Sequence, residues 1–548
     1  MRSRHVLLAV AAGLALADAS VVTLALPELL HQLHTTVEGV ALVLVVYAAV
    51  ITIALLPAER LQRAVGAPRT AAGGMALFAA ASAVASVSSS LGLLLAARAV
   101  QALGGAAALV ATFALLEPGG AAGERGRRLW LGTAVLSAAV GPALGGALTQ
   151  ALSWRAIFYV QAPVAAAAAL AALREPDRWT APRPDGERMR PGPAIALALV
   201  SAALTSVLFL LVLLLVAGWD VSPLLAAVAV SVIPAGALAG SRIRGQAQAR
   251  AAAGCALVGA GVLALAFLPD ASLAWTVAPQ AAAGLGMGLA LPALGGDLLP
   301  ERDARDAARL LTVRHAGIVA ALLVLAPIVS GQLTASTERA KERGVAVVLD
   351  ARLPPTDKLR LAPDLLEGVD DEQPRAGLRA ALDDGRGQIE AGDRAAYDDL
   401  AQRADDTLVL AVGEAFRTAF LVTGALALLA ALAVLPRRRP RRPQALAAAA
   451  ATALVLPLAY VGLHATAAPK PVALADPCRT RELPRAGGLE GFAQDFALSA
   501  LDTSACRIGS SREELVLALA DTGERRKFEK KYGVDPRSVS SVLQGLLG

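Results

Sequence analysis

Ser137-Ala-Ala-Val-Gly-Pro-Ala-Leu-Gly-Gly146 lies inside an uncharged apolar run from Trp130 to about Leu152. That run is long enough to cross a hydrocarbon core of roughly 30 Å. In water, Gly141-Pro142 followed by Gly145-Gly146 would make a poor helix: proline removes a backbone donor and glycine adds freedom to the unfolded chain. In a membrane, neighbouring helices re-satisfy the freed groups, and the small residues let another backbone come close. The stretch therefore reads either as a packed Gly/Ala-rich membrane helix or as a bendable helix contact, and its surroundings have to decide.

Those surroundings are apolar throughout. The chain has 548 residues, 56% of them hydrophobic, with a mean hydropathy of +0.56. Such a composition belongs to a polytopic membrane protein. Trp130, Trp154, Trp219 and Trp275 sit at or near the ends of apolar runs, where interfacial anchors belong. The net charge of +6 is spread over short loops and signals no nucleic-acid partner. Arg2, Arg4 and His5 before Val6–Ala17 resemble a signal peptide, but the apolar stretch resumes after Asp18 and runs to Leu26, so a retained span is expected.

Thirteen spans are expected: 6–27, 39–58, 70–89, 91–115, 130–152, 155–173, 193–218, 222–240, 251–269, 272–293, 310–332, 408–435 and 445–466. Basic clusters follow the even-numbered ones: Arg60, Arg63 and Arg69; Arg125, Arg127 and Arg128; Arg242, Arg244 and Arg250; Arg302, Arg305 and Arg309; and Arg437, Arg438, Arg439, Arg441 and Arg442. The short alternate loops carry no Lys or Arg, so the positive-inside rule places the N-terminus in the cytoplasm and the C-terminus outside, in a multi-pass plasma-membrane protein.

The expected organisation is a six-helix half at 1–173, a cytoplasmic linker at 174–192 and a second six-helix half at 193–435. The second half carries an acidic extracytoplasmic insert at 333–407, with helical runs at Asp364–Ala381 and Ile389–Ala404. A basic cytoplasmic loop at 436–444, a thirteenth span at 445–466 and an extracytoplasmic domain at 467–548 complete the chain. Cys478 and Cys506 share that last domain and suggest a disulfide worth about 3 kcal/mol; two free thiols are the alternative. Ser511-Arg-Glu-Glu514 looks like a helix cap, and Tyr532–Arg537 like a turn before a last short helix.

Charged residues within the spans are the candidates for chemistry. Asp18 lies mid-span, where a carboxylate costs about 2.5–3.5 kcal/mol on insertion scales. Burial disfavours the charged form of a carboxylate, which suits such a residue to carrying a proton; a structural hydrogen bond between helices is the alternative. Arg98 must likewise find a carboxylate, carbonyls or water, unless it snorkels. Glu414 and Arg417 are spaced to pair along one helix, His315 reads as a polar helix-end residue, and Gln280 carries no assignment. No Gly-Lys-Ser/Thr phosphate loop and no metal-ligand spacing occur, so neither an ATP-driven pump nor another enzyme is indicated, and no cofactor.

Six spans, a linker and six more suggest a duplicated transporter core. Leu16-Ala-Asp-Ala-Ser-Val-Val-Thr-Leu-Ala-Leu-Pro27 resembles the first-helix motif of the drug:proton antiporters of the major facilitator superfamily. Arg98-Ala-Val-Gln-Ala-Leu-Gly104 is similar to its fourth-helix motif, and Ser137–Gly146 to the antiporter motif of helix five, with Ser137 for the usual glycine. Trp154-Arg-Ala-Ile-Phe-Tyr-Val-Gln-Ala-Pro163 resembles the start of helix six, with Gln161 for the more usual Asn. Arg314-His-Ala-Gly317 is similar to a helix of fourteen-helix relatives.

The resemblance, over about 1–435, implies the all-α polytopic major-facilitator fold of two six-helix halves. The extra C-terminal transmembrane helix and the small α-rich extracytoplasmic domain would be additions to it. It implies proton coupling at Asp18, Arg98 and Gln101, and a hinge or seal at Gly141, Pro142, Gly145 and Gly146. The loop Glu59-Arg-Leu-Gln-Arg-Ala-Val-Gly66-Ala-Pro-Arg69 departs from the family pattern: Leu61, Gly66 and Arg69 survive, but Arg63 stands where an aspartate belongs and Glu59 replaces the first glycine. Glu59 could supply the missing charge.

The expected function is multidrug efflux: a proton antiporter exporting hydrophobic or amphipathic small molecules by alternating access. Its partners are the substrate, protons and the lipid bilayer, with a further extracytoplasmic partner for the C-terminal domain. The alternatives are a non-transporting binding or regulatory protein on a transporter scaffold, and an exporter of a lipid or cell-envelope precursor.

Overall fold

The structure, a computed structural model, describes all residues except 1, 117–140, 178–188, 300–302, 370–373, 436–442, 480–487 and 538–548. Trp130, Ser137, Arg125, Arg127, Arg128, Arg302, the arginines of 436–442 and the expected last helix fall outside the described residues. The elements are helical throughout: α1 (Arg2–Thr23), α2 (Leu26–Gln32), α3 (Val37–Val65), α4 (Ala67–Ser86), α5 (Leu91–Leu116), α6 (141–151) and α7 (Arg155–Ala172). Then come α8 (Pro191–Val212), α9 (Pro223–Val230), α10 (Val232–Gly240), α11 (Ala247–Leu265), α12 (Leu273–Pro292) and α13 (Ala304–Asp350). The remaining helices are α14 (Pro355–Val369), α15 (Pro374–Arg386), α16 (Arg394–Ala433), α17 (Pro443–Ala467), α18 (Gly488–Ile508), α19 (Arg512–Ala520) and α20 (Thr522–Tyr532).

Among the described residues ten helices are long and apolar enough to cross a membrane, against thirteen expected spans. α1 and α4 are helical where spans were expected but are not among the ten, and the run 130–152 is described only in part.

The chain divides into two compact units. Unit 1 comprises residues 1–216, 221–331 and 416–467. Its packing rests on glycines that bring helix backbones into contact. A Cβ on Gly74 of α4 would lie 2.7 Å from the Ala108 backbone nitrogen of α5, and one on Gly104 would lie 2.6 Å from the Gly74 carbonyl oxygen. The equivalent pair in the second half repeats the device. Cβ atoms on Gly254 of α11 and Gly286 of α12 would lie 2.6 Å from the Gly286 oxygen and 2.4 Å from the Gly254 oxygen, respectively. Real Cβ atoms do not approach so closely, so only glycine permits either crossing, as small-residue packing of membrane helices requires. α17 leans on this second half: Tyr460 donates to the Trp275 carbonyl at 2.6 Å, and Ala449 joins Ala253, Leu257 and Leu289 in one apolar cluster.

Unit 2 comprises residues 217–220, 332–415 and 468–548, so the insert and the C-terminal tail fold as one body. Arg512, fully buried, reaches Asp350 at 2.8 Å and Glu513 at 3.0 Å, and Lys527 reaches Glu338 at 2.5 Å. A Cys478–Cys506 disulfide closes the tail, whose core is Ala505, Leu515, Ala518 and Phe528. Ser511 and Glu514 form the reciprocal cap that starts α19, and Gly533 ends α20 in a left-handed conformation at φ 72°.

Several local expectations change. α13 runs on as helix to Asp350, and α16 already begins at Arg394, so the membrane helices continue as helix into the segments read as an insert. The run 364–381 belongs to two described helices, α14 and α15, and the second opens on Pro374, as proline favours the first helical position. Glu414 and Arg417 do not pair with each other. Glu414 accepts from Arg339 at 3.2 Å, and Arg417 meets His464 at 2.8 Å, each side chain reaching a neighbouring helix instead of along its own.

Candidate functional site

The first-half core holds a closed ring of polar side chains. α1 is apolar on every side of Asp18, and α5 is apolar around Arg98, so folding either helix into the bundle removes a charge from water. Both residues are fully buried. Arg98 Nη2 lies 2.5 Å from Asp18 Oδ2, an ion-pair approach without an aligned hydrogen bond. Arg98 Nη1 donates to Gln101 Oε1 at 2.6 Å, Gln101 Nε2 to Gln161 Oε1 at 2.8 Å, and Gln161 Nε2 to Asp18 Oδ1 at 3.1 Å. Gln101 Nε2 also reaches Ser82 Oγ at 2.8 Å, and Arg98 Nε reaches the Val43 carbonyl at 3.3 Å. α1, α3, α4, α5 and α7 thus all contribute to one network.

Tyr47 covers the arginine. The Arg98 guanidinium lies 4.2 Å from the Tyr47 ring centre, and the Tyr47 hydroxyl donates to the Ala15 carbonyl at 2.9 Å. Its other surroundings include a cavity of about 110 Å³ lined from both halves, by Ser20, Tyr47, Pro142, Ser201, Met287 and His315 among others. Tyr47 therefore stands between this cavity and the buried ion pair. His315 is not at a helix end: it is buried within α13, with Nδ1 2.8 Å from the Leu311 carbonyl. Gln280 is buried and donates to Thr276 at 2.9 Å.

α6 carries the described part of the opening motif. A Cβ on Gly141 would lie 2.3 Å from Ser20 Oγ, and one on Gly145 2.3 Å from the Val21 carbonyl oxygen, so α6 packs backbone-close on α1 just beyond Asp18. Gly146 faces the second half, where a Cβ would lie 2.4 Å from that of Ala227. Pro142 lines the cavity between these contacts. In the α3–α4 region Glu59 is buried and accepts from Arg63 at 2.6 Å, four residues on. Gly66 takes φ 97° and Arg69 lines a shallow recess with Leu61. Asp177, beyond α7, packs on Gly66 so closely that a Cβ there would lie 2.2 Å from its carboxylate oxygen.

Asp18, Arg98 and Gln101 are brought together; the residues of 59–69 form a separate group. Sequence reasoning did not foresee Tyr47, Ser82 or Asp177 as parts of these groups, nor Gln161 as the link that closes the ring. The available signal for Tyr47 and Gln161 was a polar side chain within an apolar run. Asp177 carried no comparable signal. No group of three or more metal-binding side chains occurs among the described residues.

Ten candidate membrane-spanning helices among the described residues, with a buried polar ring and a cavity lined by several of them, fit transporter architecture. Residues 8–303 match the family model of the Major Facilitator Superfamily, and the chain belongs to that superfamily, whose members are membrane transporters and not enzymes. It is similar to the tetracenomycin C resistance and export protein of Streptomyces glaucescens, 32% identical over 171 residues, which are 30% of this chain and 32% of that protein. The multidrug resistance protein Stp of Mycobacterium tuberculosis is 31% identical over 173 residues, with the same two coverages of 30% and 32%. The drug efflux pump JefA of the same organism is 30% identical over 188 residues, 33% of this chain and 37% of the pump. The chain thus matches about a third of the length of these curated relatives. Among solved structures, a bacterial homolog of the human lysosomal transporter Spinster superposes with a TM-score of 0.52 at 13% identity, covering 80% of this chain and 99% of the homolog. That likeness concerns the fold.

Proposed function

We propose that this chain is a proton-coupled antiporter that exports hydrophobic or amphipathic small molecules. The observation that carries the reading is the fully buried Asp18–Arg98 pair, closed by Gln101 and Gln161 behind the cavity-lining Tyr47. Taking two charges out of water carries a desolvation penalty that packed apolar residues would avoid, so a pair kept here calls for a use. Protonation of Asp18 cancels the attraction to Arg98. The guanidinium then keeps Gln101, the Val43 carbonyl and the Tyr47 face, and is free to shift against Tyr47. A shift of Tyr47 alters the cavity wall, which gives proton binding and cargo binding a shared element, as coupling requires.

α6 would be the seal. Its Gly141 and Gly145 ride on α1 and its Gly146 on the second half, so bending at Pro142 changes both contacts together. Glu59, Arg63, Gly66 and Arg69, with Asp177, would bias the gating equilibrium in place of the family's aspartate. The resistance and export proteins named above support a lipophilic drug-like cargo. The distribution of arginines supports a plasma-membrane orientation with the N-terminus and the 174–192 linker inside and unit 2 outside.

The test is substrate-driven proton movement in proteoliposomes with a panel of lipophilic cations and lipids, comparing wild type with Asp18→Asn. Proton flux in the wild type that the variant loses supports the reading. Flux retained by the variant removes Asp18 from the mechanism, and no flux from folded wild type removes transport.

A further inference from the structure

The cavity beside Tyr47 lies wholly within unit 1, and α8 turns Ser201, Leu204, Thr205 and Leu208 toward it, the spacing of one helix face. Ser201 is only 3% exposed, yet its Oγ has no hydrogen-bond partner. Hydroxyls elsewhere in these helices turn back on the preceding turn. Thr52 donates to the Ala48 carbonyl at 2.7 Å, Thr312 to that of Ala308 at 2.8 Å and Thr423 to that of Ala419 at 2.7 Å. Among the described residues, Ser201 is the buried hydroxyl without a partner that lines this cavity. Leaving such a group unpaired is unfavourable unless a ligand completes it.

Two neighbouring polar groups have already committed their protons. Ser20 donates to the Ala17 carbonyl at 2.7 Å, so its oxygen is left to accept. His315 Nδ1 lies 2.8 Å from the Leu311 carbonyl, which can only accept, so Nδ1 carries the ring proton and Nε2 of the neutral ring is an acceptor. Ser20 and His315 thus offer acceptors and Ser201 a group that can act either way. A ligand that satisfies all three must bring a donor.

Charge narrows the choice. Among the described residues lining the cavity there is no Asp or Glu, and Asp18 lies behind Tyr47, held by Arg98 and Gln161. Arg314 is the charged side chain of the lining and has contacts of its own within the protein. A cation entering here would give up its hydration without meeting a counter-charge, and an acid would find no uncommitted cation. Apolar cavities of about 150 Å³ accept benzene, so a space of about 110 Å³ holds a small head group and not a whole drug-sized molecule.

We propose that this cavity recognises the uncharged, donor-bearing head of its cargo, a phenol or similar hydroxyl, with Ser201 and His315 as the residues that read it. The proposal rests on the export reading and deepens it, since it names the neutral hydroxylated members of the amphipathic class and sets lipophilic cations aside.

The probe is a photoreactive para-alkylphenol, with its diazirine in the alkyl chain, on the full chain in phosphatidylcholine nanodiscs. Labelled peptides are mapped after digestion. Competitors at equal bilayer concentration are para-butylphenol, its methyl ether, para-butyltoluene, para-butylbenzoate and the matching N-methylpyridinium. The expected result is labelling within 201–208 and 314–318, displaced by the phenol about tenfold better than by any other competitor. Ser201→Ala should weaken the phenol about fivefold, leave the toluene unchanged and not lower the melting temperature, because it strands no polar group. His315→Leu should narrow the gap between phenol and methyl ether. Absence of labelling in these peptides, a methyl ether, benzoate or pyridinium that competes as well as the phenol, or a phenol unaffected by Ser201→Ala would overturn the proposal. Phenol-driven proton flux in wild type and Asp18→Asn is read separately: phenol binding without flux strikes the export reading alone, and flux without a phenol preference strikes this site alone.

Discussion

At the scale of single residues the ion pair dominates. Removing one partner of a buried pair leaves an uncompensated charge and typically costs about 3–5 kcal/mol. Arg98→Met and Asp18→Asn should therefore each lower the melting temperature of purified protein. The double substitution Asp18→Asn/Arg98→Met should recover part of the loss, because no charge is then stranded. Additive effects in that cycle would contradict the ion pair. Lys358 offers a second, independent residue-scale test. Burial holds its ammonium down, from the ordinary 10.5 to about 8, with Asp350 opposing and Arg512 adding to the effect. The folded state thus binds fewer protons than the unfolded state between those two values, and the stability contributed by this position rises with pH across that window. Chemical denaturation should show the gap between wild type and Lys358→Met changing from pH 8 to 10.5, in favour of wild type, and flat below pH 7. The charged members of the first-half site were legible in the sequence because ionisable residues stand out in apolar runs. Tyr47 and Ser82 were not, because a hydroxyl within a span is common and only packing shows which one faces a guanidinium.

At the scale of elements, glycine decides which helices touch. Gly145→Val would drive a side chain into the Val21 backbone of α1, 2.3 Å from where its Cβ must stand. The neighbouring backbone cannot yield as a flexible side chain would. Transport should be lost, with the chain retaining its helical content by circular dichroism; wild-type transport in this variant would contradict the α1–α6 contact. The motif itself was readable from Gly-Pro and Gly-Gly spacing, but which helix each glycine meets was not. The same holds for the repeated crossings of α4 on α5 and α11 on α12: their helices were evident from apolar runs, their matching glycine contacts only from the fold. Helix continuity was also hard to foresee. The polar stretches after 332 and before 408 end an apolar run without breaking the backbone hydrogen-bond ladder, so α13 and α16 pass through.

At the scale of the whole molecule, the sequence divides into apolar and polar stretches, and ten of the thirteen expected spans coincide with helices long and apolar enough to cross a membrane. It does not show that 332–415 and 468–548 fold together, because their union rests on pairs far apart in the chain, such as Asp350 with Arg512 and Glu338 with Lys527. The disulfide in this unit should contribute about 2–4 kcal/mol. Cys478→Ser/Cys506→Ser should accordingly make the tail more susceptible to limited proteolysis, whereas unchanged susceptibility would mean the bridge does little for the unit. The central claim, that the buried Asp18–Arg98 ring couples protons to export, is tested most directly by one measurement: substrate-evoked proton flux in proteoliposomes, wild type beside Asp18→Asn. The account expects flux with at least one lipophilic compound in the wild type and none in the variant. Equal flux in both would contradict it.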